Sequence, residues 1–217
     1  MNRFVVIILS LLLSFPLSAG VKRERPPFDL RKHEFALSGA VFPGRYAFGY
    51  DFDSDAAGHD AGYGSVAGLY DDARTYNKER VTDSWVLSYT YNFTDAFSLS
   101  AGLGYEGGWS EYYSRADDSK IRVAECHYIT PMVTARFSWL NRNLVRMYSS
   151  AGAGVSVAFA KAYNVADGTG NAKSPQAHLS LQLTPVGISV GRDLFGFFEI
   201  GVGTVYVGGC LGIGYRF

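Results

Sequence analysis

From His33 to the last residue the chain places apolar side chains at every second position, and clusters of Asn, Asp, Gly and Arg interrupt the pattern at intervals. Period two is the mark of a strand with one apolar face. Eight such segments are predicted. The first runs from about His33 to Phe42, with Phe35, Leu37 and Val41 on one face, and the second from Ser84 to Phe93, with Trp85, Leu87, Tyr89, Tyr91 and Phe93. Thr94 and Asp95 turn the chain into the third, Phe97 to Trp109, whose apolar face is Phe97, Leu99, Ala101, Leu103 and Tyr105. The fourth, Val123 to Leu140, shows Ile129, Val133, Phe137 and Trp139. After Asn141 to Asn143 the fifth follows, Leu144 to Phe159. The sixth, Ala177 to Val190, slips phase at Pro185 and Val186. A bulge is the simplest cause, since proline cannot donate to a ladder. The seventh spans Phe197 to Tyr206 and the eighth Val207 to Phe217.

Strands with an apolar face and few charges cross lipid only when closed into a ring, because each unpaired backbone group would go unsatisfied there. The pattern therefore predicts an all-β fold, an eight-stranded antiparallel transmembrane up-and-down barrel over residues 33–217. The connections alternate in length. Those after Phe93, Leu140 and Gly191 are short, whereas Phe42 to Asp83, Ser110 to Arg122 and Ala160 to Gln176 are long and polar. Outer-membrane barrels have short periplasmic turns and longer extracellular loops, which places both termini in the periplasm and the outer membrane around the barrel. The tight connection near Tyr206 to Gly209 is the exception. In the loop 43–83, Tyr46, Phe48, Tyr50 and Phe52 alternate, as if strand one continued above the membrane.

Residues 1–20 combine Arg3, an apolar run from Phe4 to Leu13 and the small residues Ser18, Ala19 and Gly20. This is the layout of a cleaved secretory signal, and the run is shorter than the ~20 apolar residues of a spanning helix. Cleavage falls after Ala19 or Gly20. Residues 21–32, charged and carrying Pro26 and Pro27, read as a periplasmic lead-in. Aromatics make up 15% of the chain, and Tyr and Phe favour strands and membrane interfaces. Twenty basic and twenty acidic side chains cancel, which leaves no field to draw nucleic acid. Two cysteines, Cys126 and Cys210, are too few for a disulfide framework and fall on opposite walls, so free thiols are expected.

The chain ends Leu211-Gly-Ile-Gly-Tyr-Arg-Phe217. With Phe217 last, Tyr215 two before it and Gly212 further in, this ending resembles the signal by which outer-membrane assembly machinery recognises its clients. Five stretches extend the likeness: Arg136-Phe-Ser-Trp-Leu-Asn-Arg142, Val145-Arg-Met-Tyr-Ser149, Gly187-Ile-Ser-Val-Gly191, Leu194-Phe-Gly196 and Gly212 to Phe217. Together they resemble a group of small Gram-negative outer-membrane β-barrel domain proteins, in the size range of the OmpX and OmpW barrels. The resemblance implies the fold and the location. It carries no activity and no functional residues.

An eight-stranded barrel is just wide enough for side chains to fill. Inward positions include Gly102, Gly104, Gly152, Gly154, Gly201, Gly203, Gly212 and Gly214, which leave room for large neighbours. Among those neighbours, Glu34, Arg136, Arg146, Glu199 and Arg216 fall at one depth. Like charges alone would not survive desolvation, so an interleaved Arg and Glu network joined by Tyr148 is expected near the periplasmic mouth. Such a plug argues against an open porin, which needs about sixteen strands.

Other motifs weigh less. Gly102-Leu-Gly-Tyr-Glu-Gly107 fits the dinucleotide fingerprint, but no helix begins within it, and no cofactor is expected. Asn92-Phe-Thr94 is a formal sequon at a periplasmic turn. His33, His59, His127 and His178 are scattered, and Asp51, Asp53 and Asp55 lack the glycine and glutamate of a calcium loop, so no metal is expected either. His178-Leu-Ser180 sets an imidazole and a hydroxyl on one face of a strand, the pairing a nucleophile needs. It is similar to the His-x-Ser pair of the outer-membrane lipid A deacylases, with Glu106 across the lumen as the orienting acid. The bland alternative is two polar residues filling the interior. Three functions follow: a structural or surface-recognition protein, a carrier of a small apolar ligand, and a lipid A-modifying hydrolase. The first is favoured, since nothing in the sequence demands chemistry. Membrane lipid, lipopolysaccharide and the assembly machinery are the expected partners.

Overall fold

The computed structural model describes residues 31–40, 42–44, 75–142, 144–166, 168–172 and 174–217. The leader 1–20, most of the lead-in and residues 45–74 of the first loop, with His59 and the Asp51 to Asp55 run, lie outside the described residues. The strands are β1 (His33–Ala40), β2 (Thr75–Val81), β3 (Ser84–Asn92), β4 (Phe97–Ser114), β5 (Lys120–Asn141), β6 (Val145–Asn164), β7 (Gly170–Ala172), β8 (Gln176–Gly191), β9 (Leu194–Gly203) and β10 (Gly208–Arg216). Eight of these described strands form a ring in the order β4, β3, β1, β10, β9, β8, β6, β5, and the β5 to β4 pairing closes it. All pairings are antiparallel. The protein is an eight-stranded β-barrel.

Alternation sorts the side chains between two solvents. Phe35, Leu37, Leu87, Leu103, Val133, Phe137, Leu179, Leu181, Leu211 and Ile213 all point outward and stand exposed. The polar set, including Glu34, Ser98, Ser100, Thr130, Ser180, Thr184 and Arg216, is buried inside. A water-soluble barrel would show the reverse. Aromatic belts bound the apolar wall. At one end His33 stacks on Phe217, with ring centres 5.3 Å apart, Phe35 meets Tyr89 at 5.1 Å and Tyr91 meets Phe93 at 4.8 Å. At the other, His127 lies 6.1 Å from Tyr105 and 5.7 Å from Trp109. From Phe97 to Trp109 the strand covers about 40 Å, or about 30 Å along the barrel axis at a tilt of about 40°. That fits an apolar band of about 25 Å between aromatic girdles.

The eight expected strands are all present, with corrections to their boundaries. Residues 75–81, assigned above to the loop 43–83, form β2, which extends β3 along the outer part of β4. Strands β4, β5 and β6 also run beyond the expected ends, to Ser114, from Lys120 and to Asn164. The reason is a change of solvent. Above the upper aromatic belt the outward positions become Glu111, Glu125 and Lys161, while the inward ones become Tyr112, Ala124, Ala160 and Ala162, which pack together with Cys126, Tyr128 and Ala158. The apolar phase inverts where lipid gives way to water, and a search for one continuous phase stops there. The β8–β9 register shifts between Leu183 and Val186, at the predicted bulge, where Ser149 Oγ donates to the freed Pro185 carbonyl at 2.5 Å.

Candidate functional site

The lumen charge network begins at Glu34, the second residue of β1, whose inward carboxylate is 1% exposed. Arg216, its direct partner on β10, donates from Nε to Oε1 at 3.0 Å. Arg146, the second residue of β6, reaches the same oxygen at 2.7 Å, and Arg136, near the end of β5, reaches Oε2 at 3.3 Å. Asn92 completes the set, with Nδ2 at 2.9 Å from Oε1. Four strands beyond β1 itself thus converge on one carboxylate. The other edges of Arg216 are held too: one terminal nitrogen donates to the carbonyls of Gly191 and Arg192 at 3.1 and 3.3 Å, the other to Ser189 Oγ at 2.8 Å. Its guanidinium carbon lies 3.7 Å from the centre of the Phe195 ring.

Glu199 does not share that depth. Strand β9 begins at Leu194, three residues before the expected start, so Glu199 sits further up the strand, in register with Cys210 and Gly187. There it accepts from Tyr148 Oη at 2.7 Å and from Tyr206 Oη at 2.9 Å. Tyr148 ties the two levels together, because the Arg136 guanidinium lies 4.3 Å from its ring centre. Tyr206, expected at the end of the seventh strand, instead belongs to the link 204–207 and folds inward. Its hydroxyl also meets Thr184 at 3.0 Å, and its backbone pairs with the Gln182 amide. The glycines make this filling possible. A Cβ at Gly187 would collide with the Tyr148 ring, and at Gly212 and Gly214 with the rings of Phe197 and Phe195.

Sequence reasoning therefore named Glu34, Arg136, Arg146, Tyr148 and Arg216, which the structure brings together, and Glu199, which lies one level away. It passed over Asn92, Phe195, Phe197, Ser189 and Tyr206. Parity could have found Phe195 and Phe197, since they share a face with Glu199. Asn92, the formal sequon, is 5% exposed and serves Glu34.

The catalytic candidates are placed differently. Ser180 is fully buried, and its hydroxyl is 2.5 Å from Thr204 Oγ1, which also bonds the Leu181 carbonyl. Glu106 accepts from Ser84 Oγ at 3.2 Å. His178 sits on β8 in register with Ser156, three strands around the ring from Glu106. The geometry gives Ser180 a structural link across the top of the β8–β9 pair. Gly102 to Gly107 lies wholly within β4, with no helix at its end. Cys126 and Cys210 are free and buried in separate clusters. Among the described residues no group of three or more His, Cys, Asp or Glu could hold a metal. Of the terminal signature, Tyr215 and Phe217 point outward into the aromatic belt with ring centres 6.2 Å apart, and Gly212 points inward against Phe197.

Compared with known proteins, the chain matches no protein-family model, and no curated relative matches it. Among solved structures it is similar to the crystal structure of Ail, the attachment invasion locus protein of Yersinia pestis, in complex with the heparin analogue sucrose octasulfate. The identity is 12%, 87% of this chain and 100% of that chain are covered, and the TM-score is 0.44.

Proposed function

We propose that this protein is an outer-membrane barrel with a structural or surface-recognition role, its lumen closed at the periplasmic mouth by the Glu34 network. The observation that carries the reading is the filled interior. From Phe195 and Arg216 through Tyr148 and Glu199 to Tyr206, large side chains and their hydrogen bonds occupy successive levels of a ring only eight strands wide. A fixed plug of this kind anchors and does not conduct. Both termini face the periplasm in this reading, since the short connections that follow β3, β5 and β8 lie at their end. The strands that rise above the upper belt then stand outside the cell.

Planar-bilayer recording tests the plug: the purified protein should give a flat baseline, and steady open levels at low voltage would overturn the closed lumen. Orientation is tested by labelling Arg115→Cys on intact cells with an impermeant thiol reagent, which should succeed. Replacing Tyr46 to Asp83 by a short turn should abolish adhesion of expressing cells to their target surface. Retained adhesion would argue against recognition through this region.

A further inference from the structure

Above the upper aromatic belt the outer face of the wall carries its side chains in rows. Across β2, β4, β5 and β6 the first row is Arg80, Trp109, Glu125 and Lys161, the second is Lys78, Glu111, Val123 and Tyr163, and the third sets Tyr113 beside Lys120. Val123, at the centre, shares the outward side of Glu111 and yet is 5% exposed, so its neighbours close over it. The face is packed. Strand β7 then places Ala172 beside Lys161 and Gly170 beside Tyr163. A Cβ at Gly170 would lie 2.6 Å from Tyr163 Cβ, so the strand fits there only without one, and a nearly bare ledge borders the ring.

The charges of this face work within it. Glu111 is held by Lys120, Glu125 by Lys161 at 2.9 Å, Lys78 lies over the Tyr113 ring, 4.6 Å from its centre, and Arg80 is near enough to act on the Glu111 carboxylate. Cations so engaged do not select an anion. Size narrows the partner further. Strands β2, β4, β5 and β6 at a spacing of about 4.8 Å, with the rise from Trp109 to Tyr113, give a face of about 19 by 14 Å, roughly 270 Å². A stable protein partner needs about 800 Å² a side. What suits aromatic rings and paired charges over so small an area is a molecule with C–H faces and hydroxyl edges. Its C–H groups carry a slight positive charge and sit on the negative face of a ring, while its hydroxyls bond to carboxylate and ammonium.

We infer that this face binds an uncharged saccharide chain, a few sugar rings long, presented from outside the cell. One sugar would lie on the ledge of Gly170 and Ala172 against Tyr163, its hydroxyls on Lys161 and Glu125, and the chain would continue across β5 to Trp109. The site rests on the surface-recognition reading above, but it needs only the described strands and not residues 45–74.

An array of short uncharged oligosaccharides, with sulfated counterparts beside them, tests it on the full-length protein in phosphatidylcholine nanodiscs. Uncharged members should be retained at least as well as their sulfated counterparts, and equally at low and high salt. Tyr163→Ala should lower retention about tenfold, the scale of a truncated aromatic anchor, and Tyr163→Phe should keep it. Ala172→Trp, which fills the ledge, should block binding in a barrel whose heat-dependent gel shift shows it folded. Where Tyr163→Ala has lost that shift, Ala172→Trp decides. Failure to retain any uncharged saccharide, retention that grows with sulfation and fades in salt, or folded variants that bind as the parent does would each overturn the site. If replacing Tyr46 to Asp83 abolished retention and Tyr163→Ala did not, recognition would stand and this site would fall. If Arg115→Cys resisted labelling on intact cells, the surface reading itself would fail.

Discussion

Arg216 and Glu34 face each other across the β1–β10 register and are joined at 3.0 Å, so the hub of the lumen network lies on the first and last strands of the chain. The first and last strands meet through backbone pairing outside and an ion pair inside. Glu34 also anchors Arg136 and Arg146, hence its loss leaves three guanidiniums without their common carboxylate. Glu34→Gln should destabilise the barrel by about 3–5 kcal/mol, the usual result of stranding buried charge. By contrast, breaking the exposed Arg31 to Asp193 pair at 3.3 Å should cost about 0–1 kcal/mol. Urea unfolding in lipid vesicles measures both. Adding Arg216→Met to Glu34→Gln should restore about 1–2 kcal/mol, because one uncompensated charge is removed with its partner. Strictly additive losses would show that the network is not electrostatic.

The glycine contacts set up a comparison within one barrel. Gly187 faces the Tyr148 ring so closely that a Cβ has no place without moving it, whereas at Gly196 the nearest neighbour of a new Cβ is the Gly212 carbonyl at 3.9 Å. Gly187→Ala should cost about 1–3 kcal/mol and shift the Tyr148 to Glu199 bond. Gly196→Ala should be neutral or gain up to about 1 kcal/mol from the lower entropy of the unfolded chain. Similar losses at both would mean that strand entropy, and not room for the plug, explains the glycines.

How much of this could be read beforehand follows the same physics. The eight strands were legible because lipid imposes one apolar phase along each, as Phe97, Leu99, Ala101 and Leu103 show. The charge network was legible because Glu34, Arg136, Arg146 and Arg216 are polar residues at inward parity near the short turns. What escaped lies where a single phase no longer applies. Strand β2 and the ends of β4 to β6 stand in water, where Glu111 and Tyr112 exchange the roles that Leu103 and Gly104 hold below. Tyr206 escaped for a different reason: it sits in a turn, and neither parity nor period says which way a turn residue points.

Ser180 distinguishes packing from chemistry. Its fully buried hydroxyl is shared with Thr204, which also accepts from the Leu181 amide at 3.0 Å. Ser180→Ala should therefore cost about 1 kcal/mol of stability. It should leave the acyl content of added lipopolysaccharide as it is with the parent protein, namely unchanged. If the parent removed acyl chains and the variant did not, the hydrolase reading would return.

The last prediction concerns the β4–β5 tip, which stands outside the membrane. The hydrogen bond from Lys120, and then that from Tyr113, hold the Glu111 carboxyl below its ordinary value of 4.5. Hydrogen bonds from Ser119, then Ser114, lower Asp117 from 3.8, and Ser119 donates to it through both its hydroxyl, at 2.8 Å, and its amide. A depressed acid contributes fully above its unfolded value and loses that contribution as pH falls through the lower, folded one. Lys120 works in the opposite sense, since Glu111 raises it above 10.5 and its contribution fades only as pH climbs through the raised value. The tip should accordingly be steady from about pH 5 to 10 and loosen in acid, below about pH 4, before the barrel does. Amide protection factors for Asp118, whose nitrogen donates to the Ser114 carbonyl at 3.0 Å, report this directly. In Glu111→Gln the acid-induced loss should shrink to the part set by Asp117. Protection that stays constant down to about pH 2.5 in the parent would show that these bonds do not order the turn.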